Sequence, residues 1–159
     1  MIASDVPVGA TQATRGPTRR WVPSVVAVLA VLRPWYWPVS WGPGVLGYVL
    51  AAGSWGLVGG SALRPAAAAL VLGPLVWGAV LAMNDRYDVV TDRANPRKAA
   101  TPMVTGRISA GDLARLQSWF VTAALLVSAI GGPTLVAGTA GVLVLGWAYS
   151  APPLRLKGR

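Results

Sequence analysis

Long apolar runs separated by short polar stretches organise this chain. Four runs come close to or exceed the ~20 residues that a helix needs to cross a bilayer, at about 35–58, 66–83, 113–130 and 134–151. The first is rich in helix-breaking residues (Pro38, Gly42, Pro43, Gly44, Gly47), which membrane helices tolerate. A shorter run at 22–32 stops at Arg33-Pro34, is too short to span, and reads as an interfacial helix leading into the first span. The pattern therefore predicts an all-α membrane protein of four transmembrane helices plus a short interfacial N-terminal helix, in one domain over 21–159. Residues 1–20 mix Gly, Pro, Thr and Arg without periodicity and predict a disordered basic tail. A signal peptide competes for this region, because Arg15, Arg19 and Arg20 precede an apolar run. No small-residue cleavage site follows that run.

Composition supports a membrane solvent. Hydrophobic residues make up 54% of the chain and charged residues 12%, with a mean hydropathy of +0.54; a soluble domain carries about 25% charged residues. Cysteine and histidine are absent, which removes disulfides, thiol nucleophiles, imidazole bases and the usual zinc sites. Chemistry is left to Asp, Asn, Tyr, Ser, Thr, Lys and Arg.

Of the 14 basic residues, all but Arg64 fall on one side if the four spans alternate. The positive-inside rule makes that side the cytoplasm, placing the N-terminus, the 84–112 loop and the C-terminus there, in a multi-pass cell (inner) membrane protein. The net charge of +9 is then mainly a topology signal. It is divided among loops joined by membrane spans, which argues against a nucleic-acid surface.

The acids are scarce and clustered. Three of the five, Asp85, Asp88 and Asp92, follow the second apolar run, with Asn84 opening the stretch. At about 100° per residue, Asp88 lies about 60° and Asp92 about 20° from Asp85, while Asn84, Asp88 and Asp92 follow an i, i+4, i+8 spacing. If the helix continues through Asp92, the four side chains share one face about 100° wide. Carboxylates so crowded at a helix mouth repel one another unless a cation sits among them, which points to Mg²⁺ and a phosphorylated substrate. The plainer alternative is a solvated helix end whose Asp residues pair with Arg86 and Arg93.

The stretch from Asn84 to Gly106, N-D-R-Y-D-V-V-T-D-R-A-N-P-R-K-A-A-T-P-M-V-T-G, continues into Arg107-Ile108-Ser109. It resembles the first aspartate-rich motif of the UbiA family of intramembrane prenyltransferases. Tyr149-Ser150-Ala151-Pro152-Pro153-Leu154-Arg155-Leu156-Lys157 resembles the segment after that family's fourth helix, and Arg33-Pro34 also fits. The resemblance covers about 33–157.

The resemblance implies Mg²⁺-dependent transfer of a prenyl group from an isoprenyl diphosphate to an acceptor, often aromatic, inside the membrane. It implies that Asn84, Asp88 and Asp92 bind Mg²⁺, with Asp85 contributing to the same polar face, and that Asp88 and Asp92 are catalytic. Arg97, Lys98, Arg155 and Lys157 would approach the diphosphate, and Tyr149 would line the site or anchor the interface. Of the eight Trp residues, Trp35, Trp37, Trp41, Trp55, Trp119 and Trp147 lie near span ends, as an interfacial belt requires.

The family pattern has about nine helices and a second motif, D-x-x-x-D, facing the first. Beyond Asp92 this sequence contains only Asp112. The expectation is thus the N-terminal half of a nine-helix bundle, incompetent alone and needing a C-terminal half that carries the second motif. The alternative is a non-catalytic membrane module that binds a polyprenyl phosphate or a partner half. A transport protein is disfavoured, since the acids lie at a helix end and not at the midplane.

Overall fold

The computed structural model describes residues 24–56 and 62–158, and every regular element among them is helical. The expected disordered tail at 1–20 lies outside the described residues. Helix α1 spans Val25–Leu32; the Ser24 hydroxyl caps it by accepting from the Ala27 N–H at 3.2 Å. It ends at Arg33, whose left-handed backbone (φ 44°) and following Pro34 forbid continuation. A 3₁₀ turn over Pro34–Tyr36 leads into α2, Trp37–Ala52.

Helix α2 stops at Gly53, which takes φ 65° and returns its N–H to the Val49 carbonyl. Its 16 residues rise about 24 Å, short of a ~30 Å hydrocarbon core. The first expected span, at about 35–58, is therefore a shorter helix than the hydropathy pattern indicated. Glycine in an αL cap ends it while the sequence stays apolar.

Among the described residues, three helices are long and apolar enough to cross a membrane. The first, Leu63–Tyr87, covers the expected 66–83 run and is built from α3 (Leu63–Leu70), a π-helical turn (Val71–Leu75) and α4 (Val76–Tyr87). The turn arises because Pro74 has no N–H to donate and its ring displaces the carbonyl one turn back. Gly73 absorbs the distortion at φ −92°, ψ −106°. The Trp41 indole of α2 packs against that point and donates from Nε1 to the Ala69 carbonyl at 2.8 Å. A Cβ on Gly73 would come within 2.8 Å of the same indole, so this close approach needs glycine.

The other two long helices are α6, Ala110–Gly131, and α7, Pro133–Ser150, which match the expected spans at 113–130 and 134–151. Between Asp88 and α6 lie a short α5, Val89–Arg93, and a 3₁₀ turn, Pro96–Lys98. A capping box starts α6: Ser109 Oγ accepts from the Asp112 N–H at 3.1 Å, and Asp112 Oδ2 accepts from the Ser109 N–H at 3.1 Å. Gly132 alone, at φ 97°, turns the chain into α7.

Helices α4, α6 and α7 pack on one another, joined through Ala79, Ala124 and Leu143 with Phe120 and Val121 against them. Small residues set the spacing, as is usual between membrane helices: Gly78 faces Phe120 and Leu32, and Gly146 faces Val80. A second cluster lies nearer the polar end of α4 and contains Ala27, Val31, Ala82, Ile108, Leu113 and Leu116. The expected interfacial helix at 22–32 thus contributes core residues, and its position is fixed by packing on α4. Large apolar side chains such as Leu50, Leu126, Val144 and Leu145 point outward, as a bilayer-facing surface requires.

Candidate functional site

The polar end of α4 carries Asn84 and Asp85, and the chain bends at Asp88 (φ −99°, ψ 2°) before α5. The hydrogen-bond ladder nevertheless runs through the bend: the Asp88 N–H reaches the Asn84 carbonyl at 3.0 Å, and the Asp92 N–H reaches the Asp88 carbonyl at 2.7 Å. Helical spacing therefore persists to Asp92.

The four polar side chains do not share one cation. They form two pairs facing different partners. Asn84 Oδ1 and Asp88 Oδ2 converge on the Lys157 ammonium, which donates to them at 2.7 and 2.6 Å. Arg155 approaches the other Asp88 oxygen at 3.4 Å, and Ser150 Oγ stands 3.5 Å from Asn84 Oδ1. The second pair, Asp85 and Asp92, looks toward Arg33 and Lys98. Arg33 Nη2 donates to both Asp85 oxygens at 2.7 and 2.8 Å, and Lys98 Nζ lies 3.2 Å from Asp92 and 3.9 Å from Asp85.

The structure thus sets Asp85, which was expected to contribute to one polar face with Asn84, Asp88 and Asp92, against Arg33 and Lys98. Among the described residues, no three carboxylates converge on a point where a metal would sit. Asp85 is buried and held by Arg33, whose place at the α1–α2 corner brings it onto α4.

Local structure explains the basic partners. Asn95 caps the 3₁₀ turn by accepting from the Arg97 N–H at 3.0 Å, and this turn sends Lys98 back toward Asp92. Arg97 is exposed on the turn and joins neither pair. Beyond α7, Arg155 takes a left-handed backbone (φ 36°), and the segment delivers Arg155 and Lys157 to Asp88. The Tyr149 ring lies 6.0 Å from Lys157 Nζ, beside the site. The proposed pairing of the acids with Arg86 and Arg93 is not what forms: Arg86 lies over the Tyr87 ring at 5.3 Å. The partner that sequence reasoning missed is Arg33. Its one signal was a basic residue at the end of an apolar run, opposite acids that burial obliges to pair.

The Asn84–Asp88 pair fits a hard cation. One carboxylate oxygen and one amide oxygen already enclose a positive charge, and Mg²⁺ is held by one or two carboxylates with water and phosphate completing its shell. Lys98, Arg155 and Lys157 border the same region, a charge pattern suited to an anionic ligand.

No curated protein and no solved structure matches the chain. The profile of the UbiA prenyltransferase family matches residues 36–159, taking in the Asn84–Asp88 and Asp85–Asp92 pairs, the Asn95–Lys98 turn and the segment that delivers Arg155 and Lys157. This chain, an all-helical membrane protein, belongs to the UbiA prenyltransferase family.

Proposed function

We propose that the chain binds an isoprenyl diphosphate with Mg²⁺ at the cytoplasmic end of α4, as part of a prenyltransferase that alkylates an acceptor within the membrane. The observation that carries this reading is the convergence of Asn84 Oδ1 and Asp88 Oδ2 on one cation. When bound, Mg²⁺ neutralises charge on the diphosphate and makes it a better leaving group.

The chain's own residues do the rest. Asn84 and Asp88 would hold the metal. Asp92 would join them as the second catalytic acid, with Lys98 turned toward the diphosphate. Lys98, Arg155 and Lys157 stabilise the charge that develops as the allylic C–O bond breaks, its electron pair leaving with the diphosphate. Arg97 reaches the outer phosphate from the exposed turn, and Tyr149 borders the entrance. The acceptor carbon then bonds to the allylic carbon and releases a proton. Apolar helix faces exclude the water that would otherwise capture the allylic cation. Asp85 holds the architecture through Arg33.

The remaining acid beyond the motif, Asp112, is committed to the α6 capping box and to Arg115 at 3.1 Å. We therefore infer that turnover needs a second acidic motif from a C-terminal half. The same observation favours a second reading, a non-catalytic module that holds a polyprenyl phosphate. One experiment separates the two. Membranes containing residues 1–159 are given a labelled isoprenyl diphosphate and phenolic acceptors, with and without Mg²⁺. Mg²⁺-dependent retention without product is expected, and co-expression with a half carrying the second motif should yield product. Absence of retention overturns diphosphate binding, and product from residues 1–159 alone overturns the need for a second motif.

A further inference from the structure

Lys157 sets its ammonium between the two oxygens read above as metal ligands. Its ammonium is chelated by Asn84 Oδ1 at 2.7 Å and Asp88 Oδ2 at 2.6 Å, with the side chain 14% exposed. Across the whole cluster, the carboxylates of Asp85, Asp88 and Asp92 are matched by Arg33, Lys98, Arg155 and Lys157. With the three acids ionised, the cluster already carries one positive charge in excess.

We propose that Lys157 is a tethered stand-in for the metal, and that its exchange couples divalent-cation binding to diphosphate binding. This rests on the reading of Asn84 and Asp88 as metal ligands. Two cations cannot share the space between one amide and one carboxylate oxygen. A metal arriving alone must therefore expel Lys157 and leave the cluster with further unbalanced positive charge, which is unfavourable in a partly buried site. A diphosphate arriving alone meets basic groups already engaged by carboxylates. When both arrive, Lys157 leaves Asn84 and Asp88 for the phosphate oxygens, and every charge regains a partner. The Tyr149 ring, 6.0 Å from Nζ, gives the ammonium an aromatic face along the way. The site thus resists loading with metal alone and closes on metal and diphosphate together.

Coupling of this kind is reciprocal and measurable. The probes are Mn²⁺, read by electron paramagnetic resonance, and inorganic diphosphate, read by calorimetry, on the full chain in nanodiscs. In the unaltered chain, diphosphate should tighten Mn²⁺ binding, and Mn²⁺ should tighten diphosphate binding by the same factor. Lys157→Gln and Lys157→Met should each bind Mn²⁺ alone about tenfold more tightly, and the coupling factor should fall by about tenfold. Lys157→Arg keeps the charge and should retain most of the coupling. Thermal unfolding of each variant identifies any that fails to fold, and the other neutral variant then carries the test. Neutral variants that bind Mn²⁺ no more tightly than the unaltered chain, with coupling intact, overturn the exchange while leaving the metal site standing. If the unaltered chain and Asp88→Asn bind Mn²⁺ and diphosphate equally, the metal-site reading itself fails, and the exchange with it.

Discussion

Arg33 and Asp85, 52 residues apart in sequence, meet through one guanidinium nitrogen 2.7 and 2.8 Å from the two carboxylate oxygens. Their side chains are 13% and 4% exposed, so this is a largely desolvated pair. Removing one member leaves a buried charge, which costs about 3–5 kcal/mol. Arg33→Ala should therefore lower stability by about that amount, measured by denaturant titration in detergent. Replacing both residues with apolar side chains should recover most of the loss. An Arg33→Ala protein as stable as the parent would show that the pair does not hold α1 to α4.

The division of the motif gives a contrast between neighbouring acids. Asp88→Ala should weaken Mg²⁺-dependent diphosphate binding by about 10–100-fold, since interactions with charged groups contribute about 1.5–3 kcal/mol each. Its effect on stability should be the smaller of the two, since Asp88 is 15% exposed and Asp85 4%. Asp85→Ala should do the reverse, lowering stability while diphosphate affinity in the surviving folded protein stays within a few fold. Calorimetry and thermal unfolding on both variants check this. Equal binding losses would return Asp85 to the ligand set.

Helix spacing makes a third expectation. An added Cβ on Gly78 would lie 2.8 Å from both Leu32 Cδ2 and Phe120 Cδ2, whereas one on Gly138 meets nothing within 4 Å. Gly78→Ala should cost about 1–3 kcal/mol through overpacking. Gly138→Ala should be neutral or slightly stabilising, because alanine is the better helix former. Thermal midpoints in one detergent compare the two directly.

Topology can be read chemically, because the chain has no cysteine. A single cysteine at Ala100, exposed between the 3₁₀ turn and α6, should react with a membrane-impermeant maleimide in inside-out vesicles and stay silent in intact cells. Labelling in intact cells would reverse the orientation drawn from the basic loops.

The sequence disclosed what depends on neighbours along the chain. The apolar runs located α4, α6 and α7, because a bilayer demands continuous hydropathy and helical hydrogen bonding needs no distant partner. The early stop of α2 was less legible, since Gly53 is one of several glycines near that end and only its positive φ makes it a terminator. At the site, the acids were evident from their spacing, but their partners were not. Arg33 and Lys157 reach Asp85 and Asp88 across 52 and 69 residues, a separation set by the packing of α1 and α7 on α4. Angular spacing alone put four side chains on one face, and it took those partners to divide them.

The break at Gly73 and Pro74 also bears on how this protein fits its bilayer. An unbroken helix of 25 residues would extend about 37 Å, longer than the ~30 Å it has to cross. A straight rod of that length fits by leaning, by thickening the bilayer around it or by letting its polar end project into the headgroups. With the π-helical turn between them, α3 and α4 need not share an axis. The residues before the turn can then follow α2, through the Trp41 indole on the Ala69 carbonyl, while α4 keeps its packing against α6 and α7.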